Sequence, residues 1–431
     1  MTDTTDDALE SSDPNDHPTD PDEHSDSDYD DGTTDPGDTR ETTDPGDTGE
    51  AMVTPYAVEG EVDYDRLLAE FGADPLTDDQ ADRFPDTPLV RRRIFYAGRD
   101  VDRYLDAAAA GRPHSIVTGR GPSGPMHLGH VLPFYFAKRL QDATGATVYV
   151  PLSDDEKYFA KDLSFEAVGA AARENLRDLL AVGFDPERTR FVVDTADADV
   201  VYPVAARVAK YLTPATVEAT YGDPPNVGLG FYPAVQATHL LLPQLVDGEH
   251  PTLVPTAVDQ DPHVRVCRDV AGTEHLPVSK PGALLGKFFP GPSGPGKMST
   301  SDDAPSILLT DDPETVERKV RTHAYSGGRT DLAAHREHGG DPTVDVAFQF
   351  LRFFFEPDDD ELDRIAREYR DGSLLSGEMK GLAIDRITEF LADHQRRRAA
   401  LGDLEEELDP FRLTDGERSR ALRRSGVPSI P

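Results

Sequence analysis

Residues 119–130 read GRGPSGPMHLGH, a glycine-rich segment that ends in two histidines three positions apart. The segment follows a short apolar run and precedes a stretch with helical spacing, so we expect a turn between a strand and a helix. Glycines let a backbone approach a nucleotide closely, and the free amides at a helix start favour phosphate. His127 and His130 then present both imidazoles to the same phosphates.

The alternative for a bare HxGH pattern is a glycine- and proline-rich turn with two surface histidines, and the longer segment in this setting argues against it.

A second segment, KMSTS at 297–301, lies between glycine-rich and acidic residues. Glycines before it allow the loop to move, so the ammonium of Lys297 can approach β- and γ-phosphates as a transition state forms. A flexible acidic loop with one solvated lysine is the alternative, and the scarcity of lysine in this chain argues against it. Together the two segments predict a site that stabilises a pentavalent phosphate and a departing pyrophosphate from two sides.

Apolar runs that alternate with helical stretches predict an α/β fold with a parallel sheet. The predicted strands are residues 114–117, 147–152, 191–193 and 252–255. Ligands of such sheets bind at the carboxyl ends of the strands. The helix after the glycine-rich turn is predicted over 131–140, with Pro133 in its first turn, where no amide donor is needed.

The chain of 431 residues is too long for one ordinary core, and its composition divides it into four parts. Residues 1–52 are polar and acidic with almost no large apolar side chains, which predicts a disordered acidic tail. Residues 53–312 carry the strand signals and form the predicted sheet domain with an N-terminal extension. Residues 313–404 are predicted as a smaller helical domain, and residues 405–431 as a charged C-terminal extension.

The balance of charge is strongly acidic, with 82 Asp and Glu against 44 Lys and Arg and a net charge of −38. An acidic chain that is poor in lysine indicates adaptation to high salt, where a short Debye length screens self-repulsion. An ordinary acidic cytosolic protein is the alternative.

The single cysteine, Cys267, excludes an intramolecular disulfide and a cysteine-based zinc site, and we assign no protein-bound metal. The N-terminus has no apolar targeting segment, and no apolar run is long enough to span a bilayer. We therefore expect a cytoplasmic protein with no membrane partner.

The two segments resemble the HIGH and KMSKS signatures of class I aminoacyl-tRNA synthetases. The amino-acid sequences of both segments are similar to those of tryptophanyl-tRNA synthetases of the archaeal and eukaryotic type. Further matches are DDEKY at 154–158, AVDQDP at 257–262, HAYSGGR at 323–329 and DYD at 63–65, so that the likeness covers residues 54–400. It implies a Rossmann-like catalytic domain followed by a helical anticodon-binding domain.

The resemblance implies that tryptophan is activated with ATP, accompanied by Mg²⁺, and then transferred to tRNA(Trp). His127, His130 and Lys297 would be the catalytic residues, since they would hold the phosphates and the pyrophosphate. The remaining ATP-binding residues would be Thr118, Gly119, Gly121, Gly129, Lys157, Met298, Ser299 and Ser301, with the glycines giving the adenosine room.

Binding of the amino acid is implied for four further residues. Glu156, Gln236 and Gln260 would bind its amino group, and Asp259 would lie near the ribose or the amino group. For Glu156 and Lys157 the alternative is an exposed ion pair that contributes little. For the two glutamines the alternative is a buried amide whose hydrogen bonds are satisfied within the protein.

Two positions depart from the family pattern. Val117 stands where the family usually has Tyr, and Pro151 stands where it usually has Gln; in the family those side chains meet the indole N–H. A pocket that hydrogen-bonds its substrate can reject an analogue that lacks the bonding group by a factor of about 10⁴–10⁵. Either other groups such as Thr238 or His239 take over, or the chain is a divergent paralogue.

Two alternatives to a tryptophanyl-tRNA synthetase stay open at this stage. Tyrosyl-tRNA synthetases share the fold, although the sequences of both segments argue against assigning this chain to them. A divergent paralogue with a binding or regulatory role is opposed by the intact residues of the two segments. Family members are homodimers, so we expect a homodimer. Basic clusters at 91–93 and 396–398 are candidate tRNA-phosphate contacts, or else solvated faces.

Overall fold

The computed structural model describes residues 52–53, 58–59, 64–292, 294–297 and 306–428. These residues belong to one compact unit that extends from Gly49 to Pro431. The predicted acidic tail lies outside the described residues except for Met52, and so does most of the KMSTS segment.

The strands of the described residues are β1 (Met52–Val53), β2 (Val58–Glu59), β3 (Asp74–Pro75), β4 (Phe95–Arg99), β5 (Ser115–Val117), β6 (Thr147–Leu152), β7 (Thr189–Val193), β8 (Thr252–Ala257), β9 (Gly282–Gly286), β10 (Pro290–Gly291) and β11 (Gly294–Lys297).

The α-helices are α1 (Tyr64–Phe71), α2 (Asp78–Arg83), α3 (Pro88–Arg91), α4 (Val101–Ala109), α5 (Leu128–Thr144), α6 (Asp154–Ala160), α7 (Phe165–Val182), α8 (Ala198–Ala209), α9 (Pro214–Tyr221), α10 (Val227–Asp247), α11 (Asp261–Ala271), α12 (Pro313–His323), α13 (Leu332–His338), α14 (Val346–Phe350), α15 (Asp359–Arg370), α16 (Ser376–Ala399), α17 (Leu404–Leu408) and α18 (Asp415–Ser425). Among the residues that the structure describes, no helix combines the length and the apolar character needed to cross a membrane.

Seven strands form the central sheet, in the order β3-β4-β9-β8-β5-β6-β7. The five strands from β9 to β7 run parallel, whereas β3 and β4 pair antiparallel at one edge. The predicted parallel sheet is confirmed, and its four predicted strands correspond to β5 to β8 with small differences at their ends. The strands β4 and β9 were not predicted, because FYAGR and GALLG are short runs that contain glycine and show no clear alternation.

The order of the strands reverses beside β5. From β5 the chain passes through α5 to β6 and β7 on one side, while β8 and β9 lie on the other side. In open α/β sheets, ligands bind at the carboxyl ends of the strands where the order reverses. The glycine-rich turn follows β5 directly and therefore lies at this point.

Side chains of the central strands alternate between two hydrophobic clusters. Ile116 and Val148 belong to the cluster that contains α5, whereas Val117 and Tyr149 belong to the cluster that contains α10. Successive residues of a strand point to opposite faces, so the two clusters cover the two faces of the sheet.

The helix α5 begins earlier than the spacing of its apolar residues predicts. It starts at Leu128, with His127 as the N-cap residue, and Pro133 lies inside it. The expectation that Pro133 occupies the first turn is therefore wrong, because the histidine at the cap moves the helix start toward the glycine-rich turn. The proline ring removes the hydrogen bond that the carbonyl of Gly129 would otherwise accept.

The region beyond residue 312 is helical in the described residues, as predicted. The predicted apolar block at 346–355 forms α14 and a π-helical turn at Leu351–Phe355. Val346, Phe350 and Leu391 share one hydrophobic cluster with Val131 and Leu132 of α5. The sheet and the helical region therefore share a core, and the domain boundaries at residues 312 and 404 remain predictions.

The C-terminal segment packs back onto the sheet domain through α18. Arg190 of β7 lies 3.0 Å from Glu417 of α18. Arg420 and Arg424 donate to backbone carbonyls at the end of α10, at 2.9 Å for Val246 and 3.1 Å for Leu245. These carbonyls have no partner within the helix, so α18 caps the C-terminus of α10.

The two predicted basic clusters form ion pairs within the chain. Each of the six arginines at 91–93 and 396–398 pairs with at least one carboxylate among the described residues; the carboxylates are Asp78, Asp86, Asp178, Asp359, Asp393 and Glu174. The sequence analysis considered a tRNA contact or a solvated face for these clusters, and it did not predict that they form ion pairs within the chain.

A buried ion pair joins β4 to the start of α11. Arg99 Nε and Nη2 donate to the two carboxylate oxygens of Asp261, each at 2.8 Å. The side chain of Asp261 is fully buried. The pair therefore anchors the turn after β8, which carries Asp259 and Gln260.

We predict that Arg99→Met lowers the free energy of unfolding by about 3 kcal/mol, because it leaves the buried carboxylate of Asp261 without its main partner. Urea unfolding in concentrated KCl measures the change. Arg83→Met is the matched control, since its partners Asp102 and Asp106 are exposed, and it is expected to cost less than about 1 kcal/mol. Equal losses for the two variants would contradict the prediction.

Candidate active site

Two stacked histidines lie at the N-terminus of α5. The ring centroids of His127 and His130 are 3.4 Å apart with an interplanar angle of 25°. His130 Nδ1 accepts a hydrogen bond from the backbone N–H of His127 at 3.3 Å. In the neutral ring the proton of His130 is then on Nε2, which makes that atom a donor. This donor lies at the positive end of the α5 dipole, a position suited to phosphate.

The segment after the KMSTS motif is bonded to the backbone around His127. Leu128 N–H donates to Ile307 O at 3.1 Å, and Leu309 N–H donates to Met126 O at 2.9 Å. The ammonium of Lys319, on α12 of the helical region, donates to Ser306 O at 2.7 Å. The turn that carries His127 and His130, called the histidine turn below, is therefore held by the segment at 306–309, which is itself tied to the helical region.

Two glycines of the predicted ATP-binding set allow close contact within the protein. A Cβ at Gly119 would lie 2.6 Å from Pro151 O, and a Cβ at Gly121 would lie 2.7 Å from Glu156 Oε2. The space beside these two glycines is occupied by the end of β6 and by α6, and their role in making room for adenosine stays a prediction.

Two further members of this set, Thr118 and Gly129, lie at the two ends of the turn. Thr118 is buried, and its N–H donates to Tyr149 O at 3.2 Å. A Cβ at Gly129 would lie 3.2 Å from the ring of His127. Thr118 is therefore bonded to the backbone of β6, and Gly129 lies against the ring of His127.

Glu156 and Lys157 form an ion pair at the start of α6. Lys157 Nζ lies 2.7 Å from Glu156 Oε2, and the side chain of Glu156 is only 6% exposed. The alternative of an exposed surface pair is therefore wrong for Glu156. Since the pair lies against Gly121, the structure brings three predicted site residues together.

Gln236 is tied to α6 through a tyrosine. The hydroxyl of Tyr232 donates to Gln236 Oε1 at 2.7 Å and lies 2.9 Å from Ser153 Oγ, immediately before α6. Gln236 is only partly buried, so the alternative of a fully buried amide does not describe it. The sequence pattern gave no sign of the part played by Tyr232.

Asp259 and Gln260 follow the carboxyl end of β8. Gln260 Nε2 donates to Asp259 Oδ2 at 3.2 Å, and Asp259 is 1% exposed. Their position is set by Asp261, the next residue, through its pair with Arg99. These two predicted residues therefore lie at the same edge of the sheet as the histidine turn.

Lys297 ends β11, and its backbone pairs with that of Pro290 in β10. The predicted residues Met298, Ser299 and Ser301 lie outside the described residues.

The two positions that depart from the family pattern are neighbours across β5 and β6. Val117 pairs with Tyr149 in the sheet and is 1% exposed, and Pro151 lies against Gly119. Thr238 and His239, the suggested substitutes for indole recognition, are also buried.

A cleft of about 640 Å³, part of it open to solvent, lies beside the histidines. Its polar lining includes His127, His130, Thr256 and Lys287, and its apolar lining is rich in phenylalanine. The sequence analysis missed Thr256 and Lys287. In the sequence, Lys287 stands out only because it directly follows an apolar run in a chain with few lysines.

A buried acidic cluster lies at the carboxyl ends of β6 and β7. Carboxylate oxygens of Asp154, Asp155 and Asp194 lie within 4.8 Å of one another. Burial and then the neighbouring Asp194 raise the pKa of Asp155 to about 8, so Asp155 is protonated at neutral pH and shares its proton with Asp194. His239 Nε2 lies 2.6 Å from Asp194 Oδ1, and burial lowers the pKa of His239 to about 4.

We predict that the protein loses stability between pH 7 and 9 through Asp155. The folded state holds a proton on Asp155 up to pH 8, whereas the unfolded state releases it near pH 4, so stability falls as the pH rises through 8. One such group contributes about 1.4 kcal/mol over this interval, and His239 adds nothing there because it is neutral in both states. Urea unfolding at several pH values measures the slope.

The slope is expected to become smaller in Asp155→Asn, where burial still raises the pKa of Asp194, and to stay unchanged in Asp106→Asn, a change at an exposed carboxylate. A slope as steep in Asp155→Asn as in wild type would show that another group carries the proton.

Comparison with known proteins agrees with this geometry. Residues 109–392 match the family model of class I tRNA synthetases (W and Y). The chain is 67% identical over 370 residues to tryptophan–tRNA ligase 2 of Halobacterium salinarum, an alignment that covers 86% of this chain and 96% of the relative.

Solved structures show the same fold. The tryptophanyl-tRNA synthetase from Giardia lamblia is 33% identical with a TM-score of 0.75, over 82% of this chain and 96% of that one. The enzyme from Encephalitozoon cuniculi, solved bound to tryptophan, is 32% identical with a TM-score of 0.73, over 83% and 99% of the two chains. The match covers most of the chain and includes the histidine turn, so this chain belongs to the class I tRNA synthetases of the W and Y family.

Proposed function

We propose that this chain is a tryptophan–tRNA ligase, which joins tryptophan to ATP, releases pyrophosphate and transfers the tryptophanyl group to tRNA(Trp). The observation that carries the proposal is the stacked histidine pair at the start of α5, where the strand order reverses and a cleft opens. The choice of tryptophan is supported by the name and the 67% identity of the Halobacterium relative.

No side chain acts as a nucleophile in the proposed activation step. The carboxylate of the amino acid attacks the α-phosphorus in line, the bond to the β-phosphate oxygen breaks, and pyrophosphate leaves with its electron pair. The Nε2–H of His130 donates to phosphate oxygens at the positive end of the α5 dipole, and Lys297 approaches the β- and γ-phosphates. These groups lower the barrier because they are directed at charge that grows in the transition state.

Mg²⁺ enters with ATP in this proposal. The described lining of the cleft contains histidines and Lys287 but no carboxylate. Mg²⁺ prefers oxygen ligands and keeps several waters. The phosphates of ATP and water therefore supply its ligands here, and the protein residues bind the nucleotide.

The amino group of the substrate is bound by Glu156, Gln236 and Gln260 in this proposal, since all three offer side-chain oxygens near the carboxyl ends of β6 and β8. The resemblance implies that Val117 and Pro151 face the substrate's side chain. These two residues form an apolar wall without a side-chain hydrogen-bond partner. Such a wall suits the apolar faces of an aromatic ring but bonds neither an indole N–H nor a phenol hydroxyl, so the choice of tryptophan rests on the named relative.

The remaining partners follow from the family. We propose a cytoplasmic homodimer in which residues 313–404 contact the anticodon of tRNA(Trp). The fourfold division of the chain at residues 52, 312 and 404 belongs to the same proposal.

The test is amino-acid-dependent exchange of pyrophosphate into ATP in multimolar KCl. We expect exchange with tryptophan and much slower exchange with tyrosine, because the chain is 67% identical to a tryptophan–tRNA ligase. Charging of tRNA(Trp) by the same preparation checks the second step. Faster exchange with tyrosine would overturn the substrate, and no exchange with either would overturn the activity.

A second prediction concerns Lys297. Lys297→Ala should lower the rate of tryptophan activation by about 10²–10³, the effect of losing one donor to a transition state. Single-turnover formation of the adenylate measures the rate. Lys138→Ala is the matched control, since this lysine pairs with Asp142 on the surface of α5 and should leave the rate unchanged. An unchanged rate in Lys297→Ala would remove Lys297 from the mechanism.

A further inference from the structure

Asn175, in the middle of α7, is a fully buried polar residue that the family motifs do not include. Its carboxamide makes two hydrogen bonds with the glycine-rich turn. Asn175 Oδ1 accepts from Arg120 Nε at 2.5 Å, and Asn175 Nδ2 donates to Gly124 O at 3.0 Å. An amide suits this position because one group accepts from the guanidinium and donates to the carbonyl at the same time.

Arg120 closes the turn from its other end. Its backbone N–H donates to Pro151 O at 2.9 Å and its carbonyl accepts from Ser153 N–H at 3.0 Å, so this residue extends the pairing of β5 with β6. Its Nη2 then reaches across the turn to Gly124 O at 3.2 Å. Asn175, Arg120 and Gly124 therefore form a closed hydrogen-bonded triangle beneath the turn.

The triangle places a positive charge under the turn. Burial lowers the pKa of Arg120 to about 10, so its guanidinium is still charged at neutral pH. Its hydrogen-bond partners in the described part of the chain are neutral amide and carbonyl groups. No carboxylate is among these bonded partners, although the nearby Asp178 favours the charged form through space, and the position of the guanidinium depends on Asn175.

The triangle also controls where the histidines lie. Gly124 and Pro125 are followed directly by Met126 and His127, the N-cap of α5. The backbone of Met126 is held on its other side by Leu309. The turn is therefore clamped on both sides, and the clamp at Gly124 consists of side chains alone.

We propose that Asn175 is a positioning residue for the phosphate-binding turn: it fixes Arg120 and the carbonyl of Gly124, and through them the start of α5. This inference rests on the proposed function, since it assigns the turn to ATP. Loss of the carboxamide should loosen residues 119–126 and weaken the binding of ATP, while the binding of tryptophan alone stays unchanged.

The test compares Asn175→Asp with wild type. Aspartate has the same shape and keeps the acceptor for Arg120, but it loses the donor to Gly124 O and repels that carbonyl. We expect KM for ATP to rise about tenfold, the effect of one broken buried hydrogen bond, with unchanged affinity for tryptophan measured by equilibrium binding without ATP. Amide hydrogen exchange should be faster at Arg120 and Leu128, whose N–H groups at the two ends of the turn donate to Pro151 O and Ile307 O.

Gln244→Ala is the matched control. Gln244 is also a fully buried amide, but it bonds to Thr252 and Ser279 at the amino end of β8, on the opposite edge of the sheet. It should lower the melting temperature as much as a change at Asn175, without changing KM for ATP or exchange in the turn.

Two outcomes would overturn the inference. One is a KM for ATP in Asn175→Asp that equals that of wild type; the other is the same change in KM in Gln244→Ala. The hydrogen-exchange measurement needs no activity, so it separates failure of this inference from failure of the proposed function. Inactive wild-type protein with slow exchange in the turn, lost in Asn175→Asp, would overturn only the assignment of the turn to ATP.

Discussion

The close approach of residues 119–121 to the end of β6 is the contact on which the rest of the site depends. Parallel pairing continues past the end of β5, through the bond from Arg120 N–H to Pro151 O. A side chain at Gly119 or at Gly121 would collide with β6 or with Glu156. Because residues 119–121 approach β6 so closely, α6 lies directly against the glycine-rich turn, and Lys157 lies beside Gly121.

Charge acts in two different ways in this acidic chain. The arginines of the two predicted basic clusters pair with carboxylates of the chain itself, and the exposed pairs among them contribute little and weaken in salt. In the interior, Asp194 and Asp155 share a proton and His239 stays neutral, since burial disfavours charge. The charge of the buried Arg120 is an exception, and it lies under the turn assigned to phosphate.

Local patterns were sufficient for the elements that surround the histidine turn. Each of β5 to β8 is an apolar run bounded by turn residues, and the histidines are three positions apart at a helix start. Local patterns failed for β4 and β9, whose pairing is set by partners far along the chain. They also failed for Pro133, because the N-cap residue of α5 is a histidine, which is not a typical capping residue.

The sequence by itself determined the α/β class, the parallel sheet, the family and the residue types of the two motifs, because these depend on spacing along the chain. Only the tertiary structure decided what those residues touch. It placed Glu156 and Lys157 against Gly121, tied Gln236 to α6 through Tyr232, and brought Asn175 beneath the turn. Such contacts join residues that are distant in sequence, and their geometry is set by how the strands and helices pack.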